Sequence, residues 1–286
     1  MNNYYFNLII SDCGKIDGLS AVLLMGEPGT GKTRFSKILA EKWGAKYLFY
    51  QCHQGTGKEE LLYDLDIKGV IEYLGRRNFN PFPFPFPTMY SGSGGEGVSF
   101  IKKGLLYQAV EQSHKSRVVL TLDEIDKARP SLDGFLLDFL QNGRVSDPHL
   151  GVAIADSRNL IVVATSNEER LLSEPLYRRF RRIRLTIPPP EAELKIVKEM
   201  VGETVFSKVG EKTVKFLIAI ANAMRKQECV IKKVTTPEIS RLVFDFAEVE
   251  DKDMRVELLL TWFSPHREDW EILLKEFPVK YLRGML

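Results

Sequence analysis

The octapeptide GEPGTGKT, Gly26 to Thr33, constrains what this chain can fold into more than any other stretch. It fits the spacing G-x-x-x-x-G-K-[ST] and follows a short apolar run, AVLLM at 21–25, while 32–43 carries helical periodicity. Strand, glycine loop and helix in that order build a cradle for phosphate. Gly26, Gly29 and Gly31 let the backbone wrap closely, so amide hydrogens and the positive helix end can meet phosphate oxygens. Lys32 would neutralise the β- and γ-phosphates and the Thr33 hydroxyl would bind Mg²⁺. Glu27, Pro28, Thr30 and Arg34 complete the candidate binding set. The competing reading is a glycine-rich turn without ligand, and the flanking strand and helix argue against it.

The rest of the first two-thirds alternates in the same way. KYLFYQC (46–52), VVLTLDE (118–124), NLIVVAT (159–165) and RIRLTI (182–187) read as further strands, the middle two as central and parallel because they are apolar throughout. Helices are expected over 61–74 and 104–114. The predicted fold class is α/β, a P-loop core with a parallel five-stranded sheet between helices. The run PPP at 188–190 offers no amide hydrogens to a ladder or a helix and marks the boundary of a core at 1–190. From Glu191 onward every candidate is helical, which predicts a small all-helical lid domain at 191–286. The stretch 78–98, with FPFPFP followed by a Gly/Ser run, reads as an exposed insertion. Phe82, Phe84 and Phe86 on a stiff proline backbone could grip a partner, or the loop could be inert.

With 286 residues and 44% apolar content the chain can bury a core, and 40 basic against 38 acidic side chains exclude a surface that is basic throughout. The first residues lack a cationic segment and a cleavage site, and no apolar run approaches bilayer length, so a cytoplasmic location without membrane insertion is expected. Cys13, Cys52 and Cys229 form no C-x-x-C pair and are expected to be buried thiols, and the four histidines show no metal spacing.

Asp123 and Glu124 narrow the chemistry. At the end of a strand two adjacent carboxylates project to opposite sides and can take different jobs. Asp123 would hold Mg²⁺, mostly through water. Glu124 would orient and deprotonate an attacking water, a function that transfer to a hydroxyl does not need. The pair therefore favours hydrolysis over a kinase reaction.

With LTLDEIDKARPSLDGFLLDFLQNGRV (120–145) following the cradle, then a hairpin candidate at 147–158 and ATSN at 164–167, the chain resembles AAA+ ATPases, in particular their MoxR/McrB-type branch. The resemblance runs from about residue 21 to 190 and is weaker over the helical tail. It implies ATP and Mg²⁺ as ligands, a self-assembled ring, a hexamer, and a macromolecular client. It also implies that Asn167 is sensor 1, an amide that positions the lytic water near Glu124. By its own chemistry an asparagine at a strand end is equally a turn former.

EPLYRRFRRIR (174–184) packs five arginines into seven residues. The resemblance implies that the arginine before Phe180 reaches the ATP of the adjacent subunit, which selects Arg179 first and Arg178 second. A forked, permanently charged guanidinium suits the charge that builds on the transferred phosphoryl group. Arg182 and Arg184 fall on one face of the next strand. A nucleic-acid surface would need a wider basic patch with stacking aromatics, so it is not favoured. In the lid, the helix start at VTTPEISRL (234–242) has Thr236 as N-cap and carries Glu238 where the family pattern has arginine. Arg241, one turn on, is the remaining candidate for a lid contact to the phosphates, or a surface arginine. The leader before the first strand is short, where relatives carry a helix. Two alternatives stay open: an NTPase acting on DNA, and a nucleotide-gated scaffold that does not hydrolyse. No N-K-x-D signature is present, which favours ATP over GTP.

Overall fold

The computed structural model describes residues 3–65, 68 and 101–286, apart from 228, 232 and 265. The described residues divide into two compact units, one of 1–26 and 32–184, the other of 27–31 and 185–286.

In the first unit, α1 (Asn3–Asp12) precedes β1 (Ser20–Met25), α2 (Lys32–Trp43) and β2 (Lys46–Gln51). A short α3 (Lys58–Leu62) leads into β3 (Tyr63–Leu65), which pairs antiparallel with β4 (Ile101–Lys103). Then follow α4 (Leu105–Ser113), β5 (Val118–Asp123), a 3-10 turn (Ile125–Lys127) and α5 (Ser131–Asn142). A hairpin of β6 (Arg144–Asp147) and β7 (Gly151–Ile154), β8 (Leu160–Ser166), α6 (Glu174–Arg179) and β9 (Arg181–Arg184) complete it.

The main sheet has five strands in the order β2-β5-β8-β1-β9, all pairs parallel. Every residue of β1, β5 and β8 is buried, which explains their unbroken apolar sequences: helices cover both faces. The edges differ. In β9 only Ile183 is buried, while Arg182 and Arg184 are exposed, as alternation predicts.

Several expectations need correction. The short leader does form a helix, α1, whose Phe6 stacks on Phe35 of α2 at 4.6 Å between ring centroids. The helix expected at 61–74 ends at Leu62, because Tyr63–Leu65 finds a distant ladder partner in Ile101–Lys103; residues 69–74 lie outside the described residues. The fifth strand is Arg181–Arg184 rather than 182–187. The hairpin strands lie at 144–147 and 151–154, not within 147–158, since the Asp147 carboxylate accepts from the amides of His149 and Leu150 and so closes the turn there. The insertion at 78–98, with its three phenylalanines, lies outside the described residues. Of the cysteines only Cys52 is buried; Cys13 is half-buried and Cys229 exposed.

The second unit is helical: α7 (Pro190–Val201), α8 (Glu203–Val209), α9 (Glu211–Lys226), α10 (Thr236–Glu248), α11 (Lys252–Phe263), α12 (Arg267–Glu276) and α13 (Val279–Met285). Its own apolar core gathers Val197, Leu217, Ile220, Val243, Phe246 and Phe263. A buried ion pair, Arg225 to Glu193 at 2.9 Å, joins α9 to α7, and Thr236 Oγ1 donates to the same carboxylate at 2.7 Å. The N-cap of α10 is Thr235, not Thr236: Glu238 reaches back and accepts both the backbone N–H and the hydroxyl of Thr235 at 2.8 Å. Among the described residues no helix is long and apolar enough to cross a membrane.

Candidate nucleotide site

The glycine loop enters from β1 and ends at the first turn of α2, with Gly26, Gly29 and Gly31 all at positive φ (141°, 78° and 89°). These backbone states are open to glycine and strained for other residues, so the sequence spacing is a conformational requirement. Lys32, at the N-terminus of α2, is 7% exposed, and its Nζ donates to the Gly26 carbonyl at 2.5 Å. Burial lowers the pKa of its ammonium group, against the opposing pull of Asp126, Asp123, Glu124 and Glu168.

The carboxyl end of β5 stands beside the start of α2. Thr33 Oγ1 donates to the Asp123 carboxylate at 3.0 and 3.3 Å, and Thr165 Oγ1, on the neighbouring strand β8, donates to Asp123 Oδ1 at 2.7 Å. A hydroxyl and a carboxylate meeting at one point form a hard-oxygen donor pair. That pair fits Mg²⁺, which takes few protein ligands and keeps several waters.

Glu124 leaves the strand altogether. Its φ and ψ of 54° and 49° put it in the left-handed region, and its N–H donates to Thr165 Oγ1 at 2.9 Å. The two acids are thus separated by a backbone turn rather than by strand alternation, which corrects the expectation from sequence. Three donors surround the Glu124 carboxylate: Lys127 Nζ at 2.9 Å, Gln51 Nε2 at 3.2 Å and Asn167 Nδ2 at 3.2 Å. Partial burial pushes its pKa up, but the hydrogen bonds from Lys127 and Gln51, the Lys127 charge and the Asn167 bond outweigh it and hold the group below the ordinary carboxylate range.

Asn167 is fixed through its backbone, where Asp126 Oδ2 accepts from the amides of Asn167 (3.0 Å) and Glu169 (2.9 Å). Glu168, at φ 65°, is held by both terminal nitrogens of Arg184 at 2.6 Å.

The two arginines before Phe180 behave differently. Arg178 is exposed at the end of α6 and pairs along its own helix, Nε to Glu174 Oε1 at 2.7 Å. Arg179 turns inward, its Nη2 donating to the carbonyls of Asp17 and, at 3.2 Å, Leu140, with its Nε buried and without a partner among the described residues. Arg181 pairs with Asp12 at 2.6 Å and Arg182 lies 4.7 Å from the centre of the Tyr177 ring. In the helical unit the Arg241 guanidinium lies over Trp262 at 6.0 Å.

The structure therefore brings Lys32, Thr33, Asp123, Glu124 and Asn167 together at the ends of β1, β5 and β8. Sequence reasoning missed Gln51, Lys127, Thr165 and Asp126. Three of them had a signal in reach: Thr165 sits two residues before Asn167, and Asp126 and Lys127 extend the acid pair to DEIDK.

Over residues 21–180 the chain matches the model of the AAA domain (dynein-related subfamily). Similar curated proteins include Lon protease 2 of Thermus thermophilus, 29% identical over 62% of this chain and 19% of that protein. The chaperone protein ClpB of Aquifex aeolicus is 31% identical over 55% and 13%, and Lon protease 1 of Syntrophotalea carbinolica 31% identical over 65% and 20%. The chain thus spans a fifth or less of the length of these relatives. The family model covers more than half of the chain, from the strand that feeds the cradle to the phenylalanine that follows the arginine pair, and the chain belongs to the AAA domain family, dynein-related subfamily.

Proposed function

We propose that the chain is a Mg²⁺-dependent ATPase of the MoxR/McrB-type branch that closes head to tail into a ring, a hexamer, and couples its nucleotide state to remodelling of a polypeptide client. One observation carries the reading: a carboxylate held ionised, Glu124, shares a hydrogen bond with Asn167 beside a phosphate cradle and a hydroxyl–carboxylate pair. A scaffold that only binds nucleotide has no use for that pairing. The relatives are named as proteases and a chaperone, which supports a polypeptide client.

Lys32 and the loop amides bind the phosphates. Thr33 and Asp123 hold Mg²⁺, which when bound draws charge from the phosphate oxygens. Glu124 takes the proton of the attacking water, and Asn167 orients that water through the amide it now lends to Glu124. Arg178 completes the site of the adjacent subunit. It ranks ahead of Arg179, the reverse of the order expected from sequence, because Arg178 is exposed while Arg179 is turned onto the carbonyls of Asp17 and Leu140. Arg241 remains the candidate lid arginine.

Substituting Arg178→Ala lowers turnover by roughly 10³- to 10⁵-fold and leaves nucleotide affinity nearly unchanged. Mixing it with Glu124→Gln regains activity, because one interface in the mixture then has an intact base facing an intact arginine. An Arg178→Ala protein that hydrolyses at the normal rate would end the assignment in trans.

A further inference from the structure

Arg170 belongs to no assignment made above, yet it joins two elements that the proposed mechanism uses separately. It lies between the end of β8 and the start of α6. Its Nη1 and Nη2 grip the two oxygens of Asp133 at 3.0 and 2.9 Å, and its Nε donates to the Asp126 carbonyl at 3.3 Å. Both carboxylates are almost fully removed from water, Asp126 at 3% and Asp133 at 3% exposed. Such a fork fixes orientation as well as distance, since both bonds break if the planar group rotates.

Each carboxylate in turn holds a backbone that matters. Asp126 accepts from the amide of Asn167, which faces Glu124 of the same chain. Asp133 accepts from the amide of Ser173 at 2.6 Å, the residue that caps α6. Asp133 stands in the first turn of α5, and Leu140, whose carbonyl receives Arg179, stands in the last. Helix α6 is therefore fastened to α5 at both ends, by Asp133 at its start and by Arg179 at its finish. It carries Arg178 outward from between those fastenings.

We propose that Arg170 is a positioning residue that locks the two halves of the composite site in one register. Asn167 completes the site in its own chain, Arg178 completes the neighbour's, and Arg170 ties the loop of the first to the helix of the second. This rests on the function proposed above. Loss of the guanidinium removes both its bond to the Asp126 carbonyl, in the turn that holds Asn167, and its fork on Asp133, which holds α6, so a single subunit becomes defective both as owner of a site and as donor to the next.

The experiment is a complementation series. Arg170→Ala is expected to lower turnover by roughly 10²-fold, the scale of an ångström's misplacement, with nucleotide affinity retained. It is then mixed with Glu124→Gln, which is intact as donor, and separately with Arg178→Ala, which is intact as owner. The proposal expects no recovery in either mixture, while the reference mixture of Glu124→Gln with Arg178→Ala recovers. Recovery in either Arg170 mixture overturns the proposal, because the defect then lies in one half alone. Normal turnover of Arg170→Ala, or a loss of affinity in parallel with rate, overturns it too. Failure of the reference mixture sinks the reading in trans itself, a result distinct from the others. Should thermal melting show that Arg170→Ala does not fold, Arg170→Lys, which keeps the charge and loses the fork, enters the same mixtures with the same expectations.

Discussion

Asp133 and Glu193 are both carboxylates almost wholly removed from water, and each is gripped by an arginine, Arg170 in the α/β unit and Arg225 in the helical one. Their neighbours differ. Asp133 shares its oxygens with the amide that starts α6 and lies in a network that leads to Glu124. Glu193 receives Arg225 and the Thr236 hydroxyl, and Arg225 passes on to the Val234 carbonyl and Asn222. One pair ties a loop to the start of α6; the other staples three helices of a core. Identical chemistry in two places thus has different surroundings, and the groups that share each carboxylate tell them apart: a backbone amide in one case, a side-chain hydroxyl in the other.

That contrast can be broken by experiment. The largest effect belongs to the α/β unit. Glu124→Gln, which keeps the shape and one acceptor oxygen, should lower ATP turnover by about 10²- to 10⁴-fold with little change in melting temperature. A large loss of stability would show that Glu124 is a structural acid like Glu193.

Next comes the helical unit, where Glu193→Ala leaves the Arg225 charge in the interior without its carboxylate. The expected cost is about 3 to 5 kcal/mol in chemical denaturation. Replacing both partners, Glu193→Leu with Arg225→Met, should recover most of that loss, because well-packed apolar groups substitute for a buried pair. If the double replacement unfolds as readily as the single one, the pair does more than staple. The smallest effect is at the start of α10. Thr235→Ala removes the hydroxyl held by Glu238 and should cost about 1 kcal/mol, measured by the same denaturation.

The same contrast explains how much could be read from the sequence. The cradle and the acid pair are legible because each is a short motif whose neighbours in sequence are also its neighbours in space, whereas Asn167 stands out in the sequence only through the family resemblance. The three fully buried strands are legible for a related reason, since burial on both faces demands unbroken apolar runs. Tyr63–Leu65 is not legible as a strand, because its partner lies at 101–103 and nothing local announces it. Arg170, Gln51 and Lys127 look like ordinary surface residues until folding brings them against Asp133 and Glu124. Nor does the sequence show that Arg179 is turned onto the carbonyls of Asp17 and Leu140 while Arg178 stays exposed.

The antiparallel pair β3 and β4 has one more implication. Leu65 and Ile101 are ladder partners, so two stretches far apart in the sequence meet edge to edge. The entropy of closing a loop rises only with the logarithm of its length. Pairing of these two strands is therefore expected to survive changes in the number of residues between them, with the parallel sheet left as it is.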